Sequence, residues 1–159
     1  MTDIDLQRKI VKSLNELIEN HGLAIPKDSE EEWTDWNVYM QEKPYKTDEN
    51  DELQEDYIIV FLTDEDTDSD GNWVCEIQFI IGFELFETEH QGHIILATAM
   101  NNIWQHFKTH DLDNGEYELL PKAHKRWNEE NYPNYYEAAL ITRWKIKELE
   151  NLEGIANLL

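Results

Sequence analysis

Asp66-Thr67-Asp68-Ser69-Asp70-Gly71 places carboxylates at alternate positions and then a glycine, the spacing that opens a calcium-binding loop. Asp66, Asp68 and Asp70 would supply oxygen ligands to one hard cation, and Gly71 would take the sharp turn. The bidentate glutamate that should close such a loop is replaced by Ile77, with Glu76 one residue early. Both flanks also read as strands rather than helices, so an acidic hairpin turn is the competing reading. Two histidine pairs come next. His90 and His93 stand three apart at a helix start, and His106 and His110 four apart at its end. Each pair could supply two metal ligands, but no Cys, His or carboxylate at a companion spacing completes a set. Surface histidines are therefore the expectation. Cys75 falls on the apolar side of a strand pattern, which suits a buried, inert thiol. Ser13, Ser29 and Ser69 lie on a helix and in acidic loops, without a glycine elbow. The many carboxylates lack the apolar setting that tunes an acid–base pair. Neither a catalytic residue nor a cofactor is expected.

The stretch from Gly71 to Phe107 must position most of these groups. Trp73, Cys75, Ile77, Phe79, Ile81 and Phe83 alternate along one side of a strand. After a polar turn, Glu84 to Gly92, the period changes. Leu96, Ala99, Met100, Ile103, Trp104 and Phe107 form the stripe of an amphipathic helix over Gly92–Phe107. A strand face and a helix stripe that both need covering most simply cover each other.

Around this centre the chain reads in order. Thr2 caps a first helix, with Asp5 at the capping-box position. Ile4, Ile10, Val11, Leu14, Leu17 and Ile18 give that helix one apolar side, and His21-Gly22 stops it. Leu23 to Pro26 is a short extended segment. Glu32 to Gln41 has strand-forming aromatics without a clean period, an edge or hairpin strand. Lys46 to Asp56 is a polar, acidic loop. Tyr57 to Leu62 is a continuous apolar run, predicted to be a central strand covered on both faces. Thr63 to Asn72 is then an acidic hairpin connection to the Trp73 strand. Asp113-Asn114-Gly115 marks a turn, and Tyr117 to Leu120 is a short strand before Pro121. Lys122 to Trp127 is a second, surface-facing strand, and Asn131-Tyr132-Pro133-Asn134 is a turn. The last strand has its core side at Leu140, Trp144 and Ile146. Leu149, Leu152, Ile155, Ala156 and Leu159 have helical spacing, although Gly154 weakens a helix by about 1 kcal/mol relative to Ala. The reading is a single α+β domain over 1–159. Residues 1–22 form its N-terminal helix. Residues 23–147 form a single mixed, mainly antiparallel sheet with a long central helix packed on it. Residues 148–159 form a helical tail that docks on a neighbour.

Charge narrows the partners. The chain of 159 residues has 35 acidic and 13 basic side chains, a formal net charge of −22. That argues against direct nucleic-acid binding through phosphates and against adhesion to an anionic membrane. No apolar run approaches the roughly 20 residues of a membrane span, and the first residues lack the pattern of a signal peptide. One cysteine excludes an internal disulfide and fits a reducing compartment. The acid is unevenly spread: from Asp28 to Asp70 there are 17 Asp or Glu against Lys43 and Lys46. From Pro121 to Glu148 six Lys or Arg face four Glu. Such asymmetry can orient subunits in an assembly or mark a solvated face.

Four features in fixed order carry a resemblance. They are the Tyr57–Leu62 strand before an acidic hairpin, the Trp73–Phe83 strand, the Gln91-Gly92-His93 helix start, and Tyr132-Pro133-Asn134-Tyr135-Tyr136 before Thr142-Arg143-Trp144-Lys145-Ile146. In this order the segment from Tyr57 to Lys147 resembles small bacteriophage and prophage tail proteins of Gram-positive hosts, of the tail-terminator (tail-completion) type. Gly92, Tyr132, Pro133, Tyr135 and Trp144 are the positions that match. Arg143 interrupts the family's Thr-Trp pair, and Glu137-Ala138-Ala139 replaces the glycines usual after the turn. The resemblance implies an α+β sheet domain that forms a homo-oligomeric ring, a hexamer, at the head-proximal end of the tail tube. Its partners would be itself, the tail tube and the head–tail connector; its place would be the virion tail, and the host cytoplasm during assembly. It implies no catalytic motif. An acidic DNA mimic that occupies a DNA-binding protein is the alternative, since that role also selects a charge like this one.

Overall fold

The computed structural model describes residues 2–23, 36–42, 56–84, 92–128 and 135–147. At the start of helix α1 (Asp3–Glu19) the Thr2 hydroxyl accepts from the Asp5 amide at 3.0 Å, satisfying a donor the helix leaves free. The Asp5 carboxylate does not complete the box; it accepts from the Tyr117 hydroxyl at 2.5 Å and pairs with Lys9 at 2.9 Å. Leu6, Gln7, Ile10, Leu14 and Ile18 are the buried side of α1. Ile4, expected in that stripe, is exposed, because Leu6 lies one turn before Ile10 and takes the inward position.

Six strands form one mixed sheet: β1 (Asn37–Met40), β2 (Tyr57–Thr67), β3 (Trp73–Glu84), β4 (Tyr117–Leu119), β5 (His124–Trp127) and β6 (Tyr135–Ile146). Their order is β1-β2-β3-β6-β4, with β5 also pairing β6. Only β1 and β2 run parallel; the remaining pairs are antiparallel. β1 falls within the edge or hairpin strand expected over Glu32 to Gln41, of which residues 32–35 lie outside the described residues. Gln41 ends it by turning to a φ of 74°. The Gln41 side chain then replaces backbone, accepting from Leu62 N at 3.0 Å and donating to Leu62 O at 3.1 Å. Buried Gln7 locks this corner by donating to Val60 O at 2.8 Å and Gln41 Oε1 at 2.7 Å.

Helices α1 and α2 (Gly92–Thr109) cover one face of the sheet. Their buried side chains meet Ile58 and Val60 of β2, Ile77, Phe79 and Ile81 of β3, and Leu140 and Trp144 of β6. Phe107 of α2 stacks on Phe79 at 5.6 Å and meets Trp144 edge-on at 5.6 Å. The expectation that the Trp73 strand and the middle helix share a core therefore holds, and the fold is α+β. Among the described residues no helix is long and apolar enough to cross a membrane.

Three expectations change. β2 is covered unevenly: Ile58 and Val60 on the helix face are buried, while on the outer face Tyr57 is buried and Ile59 and Phe61 are half-buried. It also does not end at Leu62. A bulge at Thr63 lets the strand continue to Thr67, so the connection shrinks to Asp68–Asn72. Trp73, placed on the core side by alternation, is 45% exposed, at the hairpin end of the sheet where its partner Thr67 is exposed too. The surface-facing strand within Lys122 to Trp127 is present as β5, exposed at all four positions. The segments 24–35, 43–55, 85–91, 129–134 and 148–159 lie outside the described residues. With them go His90, Ser29, the Tyr132-Pro133 turn, most of the acidic 46–56 loop and the helical tail.

Candidate functional site

The β2–β3 hairpin uses its acids internally. Asp66 on β2 accepts from Arg143 Nη2 of β6 at 2.8 Å, across the outer face of the sheet. Asp68 accepts from the amides of Asp70 and Asn72, each at 2.9 Å, and its other oxygen pairs with Lys145 at 3.1 Å. The Asn72 amide, then Lys145 and the Asp70 amide, hold the Asp68 carboxyl below its ordinary range against the opposing effect of desolvation. Gly71 sits at a φ of 81°, where a side chain would be strained. Asp66 and Asp68 thus spend acceptor capacity on two β6 cations and the turn amides. Among the described residues no three His, Cys, Asp or Glu side chains gather as a metal ion requires.

His106 and His110 do come together, as a stacked pair with ring centroids 4.5 Å apart. His110 lies just past α2, its Nδ1 within 2.9 Å of both the His106 carbonyl and Thr109 Oγ1. His106 reaches the other way, with Nε2 at 2.7 Å from Ser13 Oγ on α1, and so ties the two helices together. His93 is exposed at the far end of α2. Burial lowers the His106 pKa from its ordinary 6.5, His110 pushes the same way, and Glu16 opposes. A lowered histidine favours the neutral folded state, so its stability is present above the ordinary value and is lost as pH falls through the lowered one. Taken alone this contribution is lost on acidification from about pH 8 to pH 5, so His106→Gln should make the melting temperature fall less, or rise more, over that range than in wild type. An unchanged slope in the variant would remove His106 as the cause.

Cys75 is fully buried and donates to Glu65 Oε1 at 3.0 Å. Burial first, then the Glu65 carboxylate, push its pKa up, the opposite of what a thiolate nucleophile needs.

One polar cluster is absent from the sequence reading. The Tyr57 and Tyr135 hydroxyls and Glu137 Oε2 lie within hydrogen-bond reach of one another, Tyr135 Oη at 3.1 Å from the carboxylate, and the two phenol protons serve two of the three contacts. Burial raises the Tyr57 pKa, with Glu137 adding to it, and Tyr135 is raised to about 12, again chiefly by burial. Protonated phenols are donors, so the cluster clamps β2 to β6 across β3. Gly82 on β3 lies between them, and a Cβ there would run into the Tyr57 ring. Sequence could have flagged it: a glycine inside an otherwise large-residue strand marks close approach.

The resemblance positions that the structure describes are packing positions. Gly92 opens α2 against the face of the Tyr136 ring, which a Cβ would overlap. Tyr135 belongs to the phenol cluster. Trp144 is 1% exposed, and its indole N–H donates to Thr142 Oγ1 at 2.9 Å. Tyr132 and Pro133 are outside the described residues.

What remains open is surface. A groove of about 480 Å³ lies between the end of α2 and β4, floored by Phe107, Tyr117 and Trp144 and rimmed by Lys108 and Lys147. A second hollow of about 380 Å³ on the outer face is bordered by Gln78, Ile80, Arg126, Trp127 and Glu137. Two strand edges carry opposite charge: Asp64-Glu65-Asp66 on the distal half of β2, and His124-Lys125-Arg126 on β5. No family model matches this chain, and no curated protein matches it either.

Proposed function

We propose that this chain is a non-enzymatic virion structural protein of the tail-terminator type. It forms a ring on the head-proximal end of a phage tail tube, stops tube growth and receives the head connector. The observation that carries the reading is a sheet backed by helices on one face, with two exposed edges of opposite charge. Open edges of this kind can pair with a further strand, which suits docking. The resemblance over Tyr57–Lys147 supplies the tail assignment. Its described positions support a scaffold role, since Gly92 and Trp144 pack the core.

An excess of acid on the ring's inner wall repels passing DNA and keeps it from adhering. That requires the acids between Asp28 and Asp70 to face the lumen; a ring with those acids outside contradicts it. The acidic-mimic alternative receives less support. It rests on the net charge of −22 alone, whereas the tail reading also has the resemblance.

The test is electron microscopy of tails assembled with and without the protein. Uncontrolled tail length without it, restored by adding it back, supports the reading; tails of uniform length in its absence overturn it.

A further inference from the structure

Two lateral edges of the sheet stay open among the described residues. β1 stops at Met40, opposite Val60, and the Gln41 side chain extends the ladder only as far as Leu62. β2 runs on to Thr67 with every residue from Thr63 exposed and Asp64, Glu65 and Asp66 in a row. On the other side β5 pairs with β6 alone and is exposed throughout. Lys125 donates to Asn101 Oδ1 at 2.6 Å, and Arg126 donates to Gln78 Oε1 at 3.0 Å. Both acceptors are neutral amides. Among the described residues these two cations have no carboxylate partner, while the outward β6 cations Arg143 and Lys145 both have one. In a chain of net charge −22, that is a conspicuous vacancy for acid.

Open strand edges are templates for pairing, and charge on an edge is the usual guard against it. Here the guard is selective. Two β5 edges repel each other, as do two distal β2 edges, but one of each attracts. We propose that β5 of one copy pairs with the distal edge of β2 in a second copy, continuing the sheet from subunit to subunit.

Strand direction fixes the register. β5 is antiparallel to β6, β6 to β3, and β3 to β2, so β5 and β2 run in opposite directions. A second copy added with its sheet in the same orientation therefore pairs antiparallel. Asp64 and Asp66 belong to the outer face with His124 and Arg126, whereas Glu65 and Lys125 belong to the helix face. Matching faces sets Asp64 opposite Arg126, Glu65 opposite Lys125 and Asp66 opposite His124. Opposite charges directly across an antiparallel pair are favourable, and like charges are not. The contact joins two different patches, so it is heterologous and yields a closed ring or an open filament rather than a two-fold dimer. Closure into a ring rests on the tail reading; the pairing does not.

The test measures the mass of the purified full chain by sedimentation over a concentration series. Wild type should grow beyond the monomer as concentration rises. Arg126→Asp alone and Asp64→Arg alone each set like charges across the contact and should stay monomeric. An equimolar mixture of the two variants restores opposite charge at every junction and should assemble again. Folding is followed by melting temperature. As a second readout, Asp64→Cys and Arg126→Cys copies mixed under oxidising conditions should form an inter-copy disulfide that Asp64→Cys with Lys12→Cys does not. A wild-type protein monomeric at every concentration overturns the proposal. So does a mixture that fails to assemble from two folded variants, or equal cross-linking to Lys12→Cys. A monomer that binds polyglutamate through Arg126 assigns β5 to a foreign acidic partner and also overturns it. Tail-length control that survives loss of this contact leaves the tail reading standing, so the two failures are distinguishable.

Discussion

Trp144→Ala is expected to cost about 3–5 kcal/mol, the range for deleting a buried indole or phenyl ring. Trp144 is 1% exposed, its ring meets the Phe107 edge at 5.6 Å, and its N–H donates to Thr142 Oγ1. Thr142 in turn donates to the Ile77 carbonyl at 2.8 Å, so the indole braces the β3–β6 pair as well as the α2 contact. Truncation leaves a cavity between β6 and α2 and strips Thr142 of one donor. At this chain length each kcal/mol is worth roughly 2–4 °C of melting temperature. A calorimetric scan should therefore show a fall of about 6–20 °C. Trp144→Phe, which keeps most of the volume, should recover much of it. A variant that melts within about 2 °C of wild type contradicts the placement of Trp144 in the core.

Gly82→Ala should destabilise by about 1–3 kcal/mol, against the usual gain from replacing a strand glycine. The added methyl runs into the Tyr57 ring. That ring cannot swing aside freely, because its hydroxyl is held by Glu137 and Tyr135. The cause can be isolated by a double-mutant cycle. In a Tyr57→Ala background the obstruction is gone, and Gly82→Ala should cost nothing further or stabilise slightly. Equal costs in both backgrounds would mean that the glycine is needed for another reason.

The helices and long strands were legible because each has a single face to satisfy. The Leu96–Phe107 stripe and the Cys75–Phe83 alternation specify their periods and their mutual burial. Sheet order was not legible. Nothing local in Tyr135–Ile146 says that the last strand in sequence sits between β3 and the two short strands β4 and β5. The extension of β2 was hidden for a physical reason: Asp64 to Thr67 contains no apolar residue, and the hydrogen bonds that make it a strand come from β3. Among chemistry-bearing residues, the Asp66-Asp68-Asp70 spacing was visible while the partners of Asp66 and Asp68, Arg143 and Lys145, stand 77 residues away. The phenol cluster was missed likewise, since Tyr57 and Glu137 meet only after β3 places them. The opposite charges of the hairpin and the 121–148 segment were plain in the composition. Only the topology sets Asp64–Asp66 on one edge and His124–Arg126 on the other, while it brings Arg143 and Lys145 back over the hairpin.

Those edges give the account its most direct measurement: amide hydrogen exchange of the full chain at low and at high protein concentration. If copies join through β2 and β5, amides within Asp64–Thr67 and His124–Trp127 should gain protection together as concentration rises, while those of the α1 core face stay unchanged. Exchange at both edges that is the same at every concentration, while the protein demonstrably self-associates, would place the contact elsewhere and contradict the account.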